Sequence, residues 1–341
     1  MARVLVTGGA GYIGSVLTGA LLEAGHDVTV LDRFFFGREP LGTVADHPRL
    51  RLVHDDIRWC APEVFEGIEV VLDLAALSND PSGELDPERT MEINHRGRVR
   101  VARLARERGA ARYILASSCS IYGFRDDTVL DETSPPAPLT TYARANLLAE
   151  QETLPLAGRG FTVTVLRQAT VYGLSPRMRF DLAINGMVLG LYRTGRIPVL
   201  RDGRQWRPFV HVRDTVQAFL LAAAAPPEQV SGQIFNVGSD DQNVQVLPLA
   251  ELVARATGRE AAVEWYGQPD HRSYRVSFRK CREVLGFVPR WTPASGAREV
   301  MEALKAGHVT DDPRTRTVAW YRTLLEGGEA PEGVVMRGRV L

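Results

Sequence analysis

A doubly wound α/β fold on a parallel sheet, completed by a smaller mixed α/β cap, is the architecture the chain predicts, and three observations carry it. A short apolar strand runs straight into a glycine-paced turn and an amphipathic helix within the first 24 residues. Up to about residue 170, short apolar runs alternate with helical stretches, the rhythm of repeated β-α units. Past Gly173 helical and extended pieces mix with loops rich in Pro, Gly and Arg, a texture that suits a cap over a sheet better than a sheet core.

The first predicted strand, 3–6, feeds Thr7-Gly8-Gly9-Ala10-Gly11-Tyr12-Ile13-Gly14. Gly8 and Gly11 lack the Cβ that would block a tight turn, and Gly14 lets the next helix pack close on the strand. That helix carries an apolar stripe at Ile13, Leu17, Ala20, Leu21 and Ala24 and stops at Gly25. Its free N–H groups, at the positive end of the helix dipole, form a seat for an anion. The second strand, 28–31, ends on Asp32, an acid placed to accept both hydroxyls of an adenosine ribose and to repel a 2′-phosphate. Strand, turn, helix, strand and acid in this order predict a site for NAD rather than NADP, although Arg33 is a cation able to neutralise a 2′-phosphate.

Further strands are predicted at 50–53, 70–74, 113–117 and 162–166, with the clearest helices at 90–108 and 142–154. Residues 1–173 are therefore expected to form a Rossmann domain and residues 174–341 mainly the cap. Strand-like returns at 197–200 and 234–237 predict that the chain re-enters the first domain, so the cap is discontinuous.

Composition narrows the function classes. With 341 residues, 45% hydrophobic, the chain can bury a large core, and 41 basic residues balance 41 acidic ones. No overall positive field exists to hold nucleic acid or an anionic membrane, so an anionic ligand must be held by local arginines. Cys60, Cys119 and Cys281 have no metal-ligand spacing, and no apolar run reaches membrane-spanning length. A cytoplasmic protein without a metal site or a signal peptide is expected.

Several stretches fall in a telling order: Asp56-Ile57 after the third strand, Leu74-Ala75-Ala76 ending the fourth, Asn94 in the following helix, Ser117-Ser118-Cys119-Ser120-Ile121-Tyr122-Gly123 ending the fifth, and Tyr142 nineteen residues after Gly123. From residue 1 to about 300 this series resembles the extended short-chain dehydrogenase/reductases, specifically the nucleotide-sugar epimerases and dehydratases. The resemblance implies a dinucleotide site made of Gly8, Gly11, Tyr12, Ile13, Gly14, Asp32, Asp56, Ile57, Leu74, Ala75, Ala76, Asn94, Ser117, Tyr142 and Asn146. Within it, Asp56 and Ile57 would hold the adenine, and Asn94 would order the active-site backbone. Ser118 would bond the reacting sugar hydroxyl and Tyr142 would be the general base. A nucleoside-diphosphate sugar is the implied ligand, walled by Ser118, Cys119, Ser120 and Thr170. Arg207, in Arg207-Pro208-Phe209-Val210-His211-Val212, would contact the diphosphate, with Arg177, Arg179 and Arg272 as further cations. A homodimer is also implied, formed through the helices at 90–108 and 142–154; Leu104, Leu147 and Leu148 suit such a bundle and suit the sheet equally.

One departure stands out. The family pattern Tyr-x-x-x-Lys reads here Tyr142-Ala143-Arg144-Ala145-Asn146, and Asn146 shares a helix face with Tyr142 but carries no charge. A phenol left near pKa ~10 is ionised to about one part in a thousand at neutral pH. Either a retuned base keeps the redox chemistry, or the site binds cofactor and sugar with little turnover. Arg144, two positions on, points elsewhere. In sugar dehydratases the positions of Cys119 and Ser120 hold Asp and Glu, which elimination needs. Their absence favours an epimerase that oxidises and re-reduces one carbinol. The alternatives are a dehydratase, reductase or decarboxylase with acid–base groups recruited from His211, Asp181 or Asp214, and a binding protein with attenuated catalysis.

Overall fold

Seven strands of the predicted kind hydrogen-bond into one all-parallel sheet: β1 (Arg3–Thr7), β2 (Asp27–Asp32), β3 (Leu50–His54), β4 (Val70–Asp73), β5 (Arg112–Ser118), β6 (Thr162–Gln168) and β7 (Gln233–Val237). The computed structural model describes residues 1–42, 44–260, 262–268, 272–328, 331 and 333–341; the side chains of residues 126 and 127 are not described. The strand order is β7-β6-β5-β4-β1-β2-β3. Pairing in register, Val4 with Val28 on one side and with Val70 on the other, makes β1 the place where the winding reverses. A doubly wound sheet opens its ligand crevice at the carboxyl ends of the strands there.

Being buried on both faces, these strands read as continuous apolar runs, as in Val4, Leu5 and Val6 of β1, where Leu5 packs on the face opposite to its neighbours. One face packs against α1 (Tyr12–Glu23) and the helix Val212–Ala224, through Leu17, Leu21, Phe219 and Ala222. The other packs against α2 (Arg98–Glu107) and α3 (Thr141–Thr153), through Val101, Leu104, Ala105 and Ala149. Leu104 is thus committed to the sheet side. The long helix predicted at 90–108 is interrupted. Pro87–Met91 leads into a wide π turn at Glu92–Gly97 before α2 starts. Gly97 is needed there, because a Cβ would come within 3.0 Å of the Ile57 side chain.

The cap has its own core of Ile184, Met187, Leu249, Val253, Val300 and Met301. The return predicted at 234–237 joins the main sheet beside β6. The one predicted at 197–200 does not: Arg196–Leu200 pairs in parallel with Ala262–Tyr266 in a separate two-stranded sheet. Its pattern was strand-like, but Ile197 and Val199 are buried in the cap. Among the described residues no helix is long and apolar enough to cross a membrane.

A buried ion pair fastens α3 to the sheet. Arg167 on β6 forks onto Glu150 on α3, with Nη2 2.7 Å and Nε 3.1 Å from its carboxylate, and Arg167 Nη1 also donates to the Tyr122 hydroxyl at 3.0 Å. Ser117 donates to the same carboxylate. Removing one partner strands the other charge out of water. Arg167→Met is therefore expected to lower unfolding free energy by about 3–5 kcal/mol, measured by urea denaturation.

Candidate functional site

The carboxyl edge of the sheet and the underside of the cap enclose one cavity of about 690 Å³. Its floor begins at the glycine turn. A Cβ on Gly14 would lie 2.1 Å from the Gly8 carbonyl oxygen, and one on Gly8 would press at 3.0 Å on the Ala75 backbone, so the turn closes only because both are glycine. Gly11, Tyr12 and Ile13 complete this wall. The Tyr12 hydroxyl reaches into the cap, donating to the Gly173 carbonyl at 2.6 Å and accepting from Asn185 at 3.1 Å, which ties the turn to the lid above it.

At the end of β2, Asp32 accepts from Ala10 N–H at 2.9 Å and Phe34 N–H at 2.8 Å. Burial pushes its carboxyl up and these backbone bonds pull it back. Each oxygen keeps a lone pair for a ribose hydroxyl. Arg33 lines the cavity beside it, but its guanidinium is engaged elsewhere. Its Nη1 lies 2.6 Å from Asp56, and its Nη2 donates to the carbonyls of Val334 and Val340 in the C-terminal segment. Asp56 also lines the cavity, but its oxygens are taken by Arg33 and by Arg58 at 2.8 Å. The wall continues through Ile57, Leu74, Ala75, Ala76 and Ser117.

Tyr142, at the start of α3, meets Ser118, at the end of β5, on the same cavity wall. The Ser118 hydroxyl accepts from Ser120 N–H at 3.1 Å. Tyr142 is pinned from behind by the short helix Asp80–Gly83, where a Cβ on Gly83 would come within 2.9 Å of the Tyr142 Cβ. Burial raises the phenol above its ordinary value and the charge of Asp80 raises it further; Arg98, Ser118 and Asn146 lower it. Thr170, Arg177, Arg179, Arg207 and Arg272 all line the cap side. Arg179 is paired with Asp181 at 2.9 Å, Arg272 with Asp80, and Arg177 donates to Thr317 at 2.9 Å while lying 3.5 Å over the Phe36 ring. Burial and the neighbouring Arg179 lower the Arg177 guanidinium to about 9.

Three of the expected site residues are not on the wall. Cys119 is fully buried, with its thiol on the Arg167 carbonyl at 3.3 Å, because the 3-10 turn after β5 rotates it into the core. Asn94 is fully buried as well, and its amide grips both the N–H and the carbonyl of Leu77, at 2.8 and 3.0 Å, so it shapes the wall without forming it. Asn146 is buried off the wall; its amide donates to the Tyr142 carbonyl at 3.0 Å and accepts from Arg98 at 2.7 Å, and a hydrogen bond from its side chain helps to lower the Tyr142 phenol. Arg98 does line the cavity, and nothing in the residue pattern singles it out among the arginines of its helix. His211 and Asp214, considered as cap-borne acid–base groups, lie off the wall. His211 is stacked on Trp291 and bonded to Glu299 at 2.9 Å, and Asp214 accepts from the N–H groups of Arg290 and Trp291.

Several polar atoms around the cavity are buried without a partner: Ser120 Oγ, Gln168 Oε1, Gln205 Oε1, Arg98 Nε and Arg177 Nε. Such atoms are expected to find partners on a polar ligand. A glycine turn at a helix N-terminus, an acid at the end of β2 and a cavity running from there to Tyr142 fit a dinucleotide laid across the sheet edge.

Comparison with known proteins agrees. The model of the NAD dependent epimerase/dehydratase family matches residues 4–238. The UDP-glucose 4-epimerase of Corynebacterium glutamicum is 29% identical over 310 residues, covering 85% of this chain and 92% of its own. UDP-glucuronic acid decarboxylase 1 of Danio rerio is 26% identical over 296 residues, covering 84% and 69%. Among solved structures, MoeE5 in complex with UDP-glucuronic acid and NAD is 30% identical with a TM-score of 0.80, covering 89% of this chain and 99% of that one. The cofactor is NAD. Loss of a charge-assisted bond to ribose is worth about 1.5–3 kcal/mol, so Asp32→Ala is expected to weaken NAD binding about ten- to hundredfold by calorimetry. Affinity for NADP should not rise in that variant, because Arg33 stays engaged with Asp56 and the C-terminal segment.

Proposed function

The chain belongs to the NAD dependent epimerase/dehydratase family, and on that premise we propose that it is a nucleotide-sugar epimerase acting through a transient 4-keto sugar. The observation that carries this reading is the composition of the wall around Tyr142. A phenol and the Ser118 hydroxyl face the cavity together, and the next lining side chain along the chain is Ser120, where an elimination would call for a carboxylate. The nearby acids Asp80 and Asp181 are each held by an arginine.

In this reading Tyr142 accepts the proton of the C4 hydroxyl and Ser118 donates a hydrogen bond to the same oxygen as its charge builds. NAD, when bound, takes up a hydride and returns it. Inversion follows when the 4-keto sugar turns over in the cavity so that hydride would return to the other face of C4, and Tyr142 gives its proton back to the C4 oxygen, so no acid–base partner beyond the pair is needed. Arg207, Arg177, Arg179 and Arg272 supply the cations for a diphosphate, and the UDP-sugar held by MoeE5 makes UDP-hexoses the first substrates to try.

The test is a panel of UDP-, dTDP-, GDP- and CDP-sugars with product analysis by mass spectrometry and proton NMR. Epimerisation leaves the mass unchanged and inverts one sugar coupling pattern. A product lighter by water or carbon dioxide would replace the reading with a dehydratase or decarboxylase, and binding without conversion would replace it with a sensor. Tyr142→Phe is expected to lower kcat by about 10²–10⁴-fold, the usual worth of a positioned general base, with a much smaller change in KM.

A further inference from the structure

We infer that Arg98 is the cation that steadies the ionised Tyr142 phenol, and that Asn146 is a positioning residue that aims it. The inference deepens the reading of Tyr142 as the base and rests on it. Any fixed positive charge beside this phenol has to come from outside its own helix face. Position 146 is an uncharged amide and Arg144 is exposed. The residue that answers is one helix away.

Arg98 opens α2, is 1% exposed, and lines the cavity floor. Its guanidinium is held on three sides. Nη1 donates to Asn146 Oδ1 at 2.7 Å, and Nη2 donates to the carbonyls of Asp73 at 3.1 Å and Ala116 at 2.5 Å, at the carboxyl ends of β4 and β5. Nε has no hydrogen-bond partner and lies 3.8 Å from the Asp73 carboxylate. Asn146 completes the link by donating to the Tyr142 carbonyl at 3.0 Å, so one amide ties the arginine to the first turn of the tyrosine's helix. Of the cationic side chains, arginine holds its proton most tightly, which suits it to supply a lasting charge.

The charged and titratable groups around this pair settle the sign. Asp80, from the short helix behind Tyr142, opposes the phenolate and is itself paired with Arg272. Glu84 is bonded to Thr141 at the helix start. Asp73 partly offsets Arg98, but it also accepts from Thr7 at 2.5 Å and from Tyr113 at 2.6 Å, and burial raises its carboxyl. Arg98 is the group whose charge lowers the Tyr142 phenol. Asn at 146 then has a physical reason. A lysine there would set a second buried cation against the Arg98 guanidinium, at the place where the amide oxygen now accepts at 2.7 Å.

The experiment is a charge swap on the full chain, comparing Arg98→Gln, Arg98→Lys, Asn146→Lys and the double variant Arg98→Gln/Asn146→Lys. Tyrosine Cζ is labelled with ¹³C, the Tyr142 signal is identified by its absence from Tyr142→Phe, and its titration is followed beside the pH dependence of kcat and the melting temperature. A cation favours the phenolate, so removing it in Arg98→Gln is expected to move the titration midpoint and the acid limb of kcat up by about one pH unit or more. Arg98→Lys should keep both close to the wild-type values. Asn146→Lys alone should melt earlier than the wild type, and the double variant should recover both stability and midpoint. An unmoved midpoint in folded Arg98→Gln overturns the inference, as does Asn146→Lys tolerated equally well with and without Arg98. Should Arg98→Gln fail to fold, the double variant decides: a midpoint near the wild type supports the inference and one raised by about a unit overturns it. Continued conversion by Tyr142→Phe would instead remove the proposed base, while the phenol titration would still report on Arg98.

Discussion

A carboxylate buried in the middle of the sheet sets the terms for everything around it. Asp73 ends β4 at the point where the winding reverses and is fully out of water. It is sustained there from three other elements: the Thr7 hydroxyl on β1 and the Tyr113 hydroxyl on β5 donate to it, and the charge of the Arg98 guanidinium on α2 lies 3.8 Å away. Burying a charge costs several kcal/mol unless it is matched by good geometry, so these partners cannot drift independently. Thr7 in turn accepts from the N–H groups of Leu74 and Ala75, both at 3.1 Å, which shapes the strand exit that forms the cavity wall. Arg98 carries the same constraint on to Asn146 and the Tyr142 helix. The active-site wall is thereby referenced to the centre of the sheet rather than to its surface loops.

What was legible in the sequence is what depends on neighbours along the chain. The glycine turn, the β2 acid and the strand rhythm are local patterns, and each of the first six predicted strands appears within two residues of its expected bounds. Ser118 and Tyr142 were found by their place in a series of motifs and do share a wall. What escaped was set by distant partners. The helical stretch contains Arg96, Arg98, Arg100, Arg103, Arg106 and Arg108, and only the π turn before α2 decides which of them turns inward. Arg33 looked able to favour a 2′-phosphate until the chain returned some three hundred residues later to engage it. Residues 196–200 had the pattern of a sheet strand, and only their partner at 262–266 assigns them to the cap.

Asn146 shows why a substitution is misread when one position is taken alone. Taken alone it is an uncharged amide near the phenol; with Arg98 in view the amide becomes the joint between a cation and the first turn of α3. On the inference drawn above, hydrogen-bonding capacity and charge, which one lysine combines, would be divided between two side chains on different helices. Such a division needs both helices to be rigidly placed. The fork of Arg167 on Glu150 fixes α3 from the other end, while the carbonyls of Asp73 and Ala116 fix the start of α2.

The cap follows a related logic with its own cations. Arg179 is paired with Asp181, Arg272 with Asp80, and Arg207 donates to the Trp206 and Arg272 carbonyls. Holding arginines in internal pairs keeps several like charges close together around a low-dielectric cavity without driving the cap away from the sheet. A diphosphate bound as proposed would exchange partners with these pairs rather than meet bare charge. Asp80 makes the exchange consequential, because it faces Tyr142 as well as Arg272. Drawing Arg272 toward a diphosphate would leave Asp80 less compensated beside the phenol and favour its protonated form. Arg98, fixed by backbone carbonyls and Asn146, has no such exchange open to it, so on the proposed reading its charge would stay beside the phenol whatever the cap cations bind.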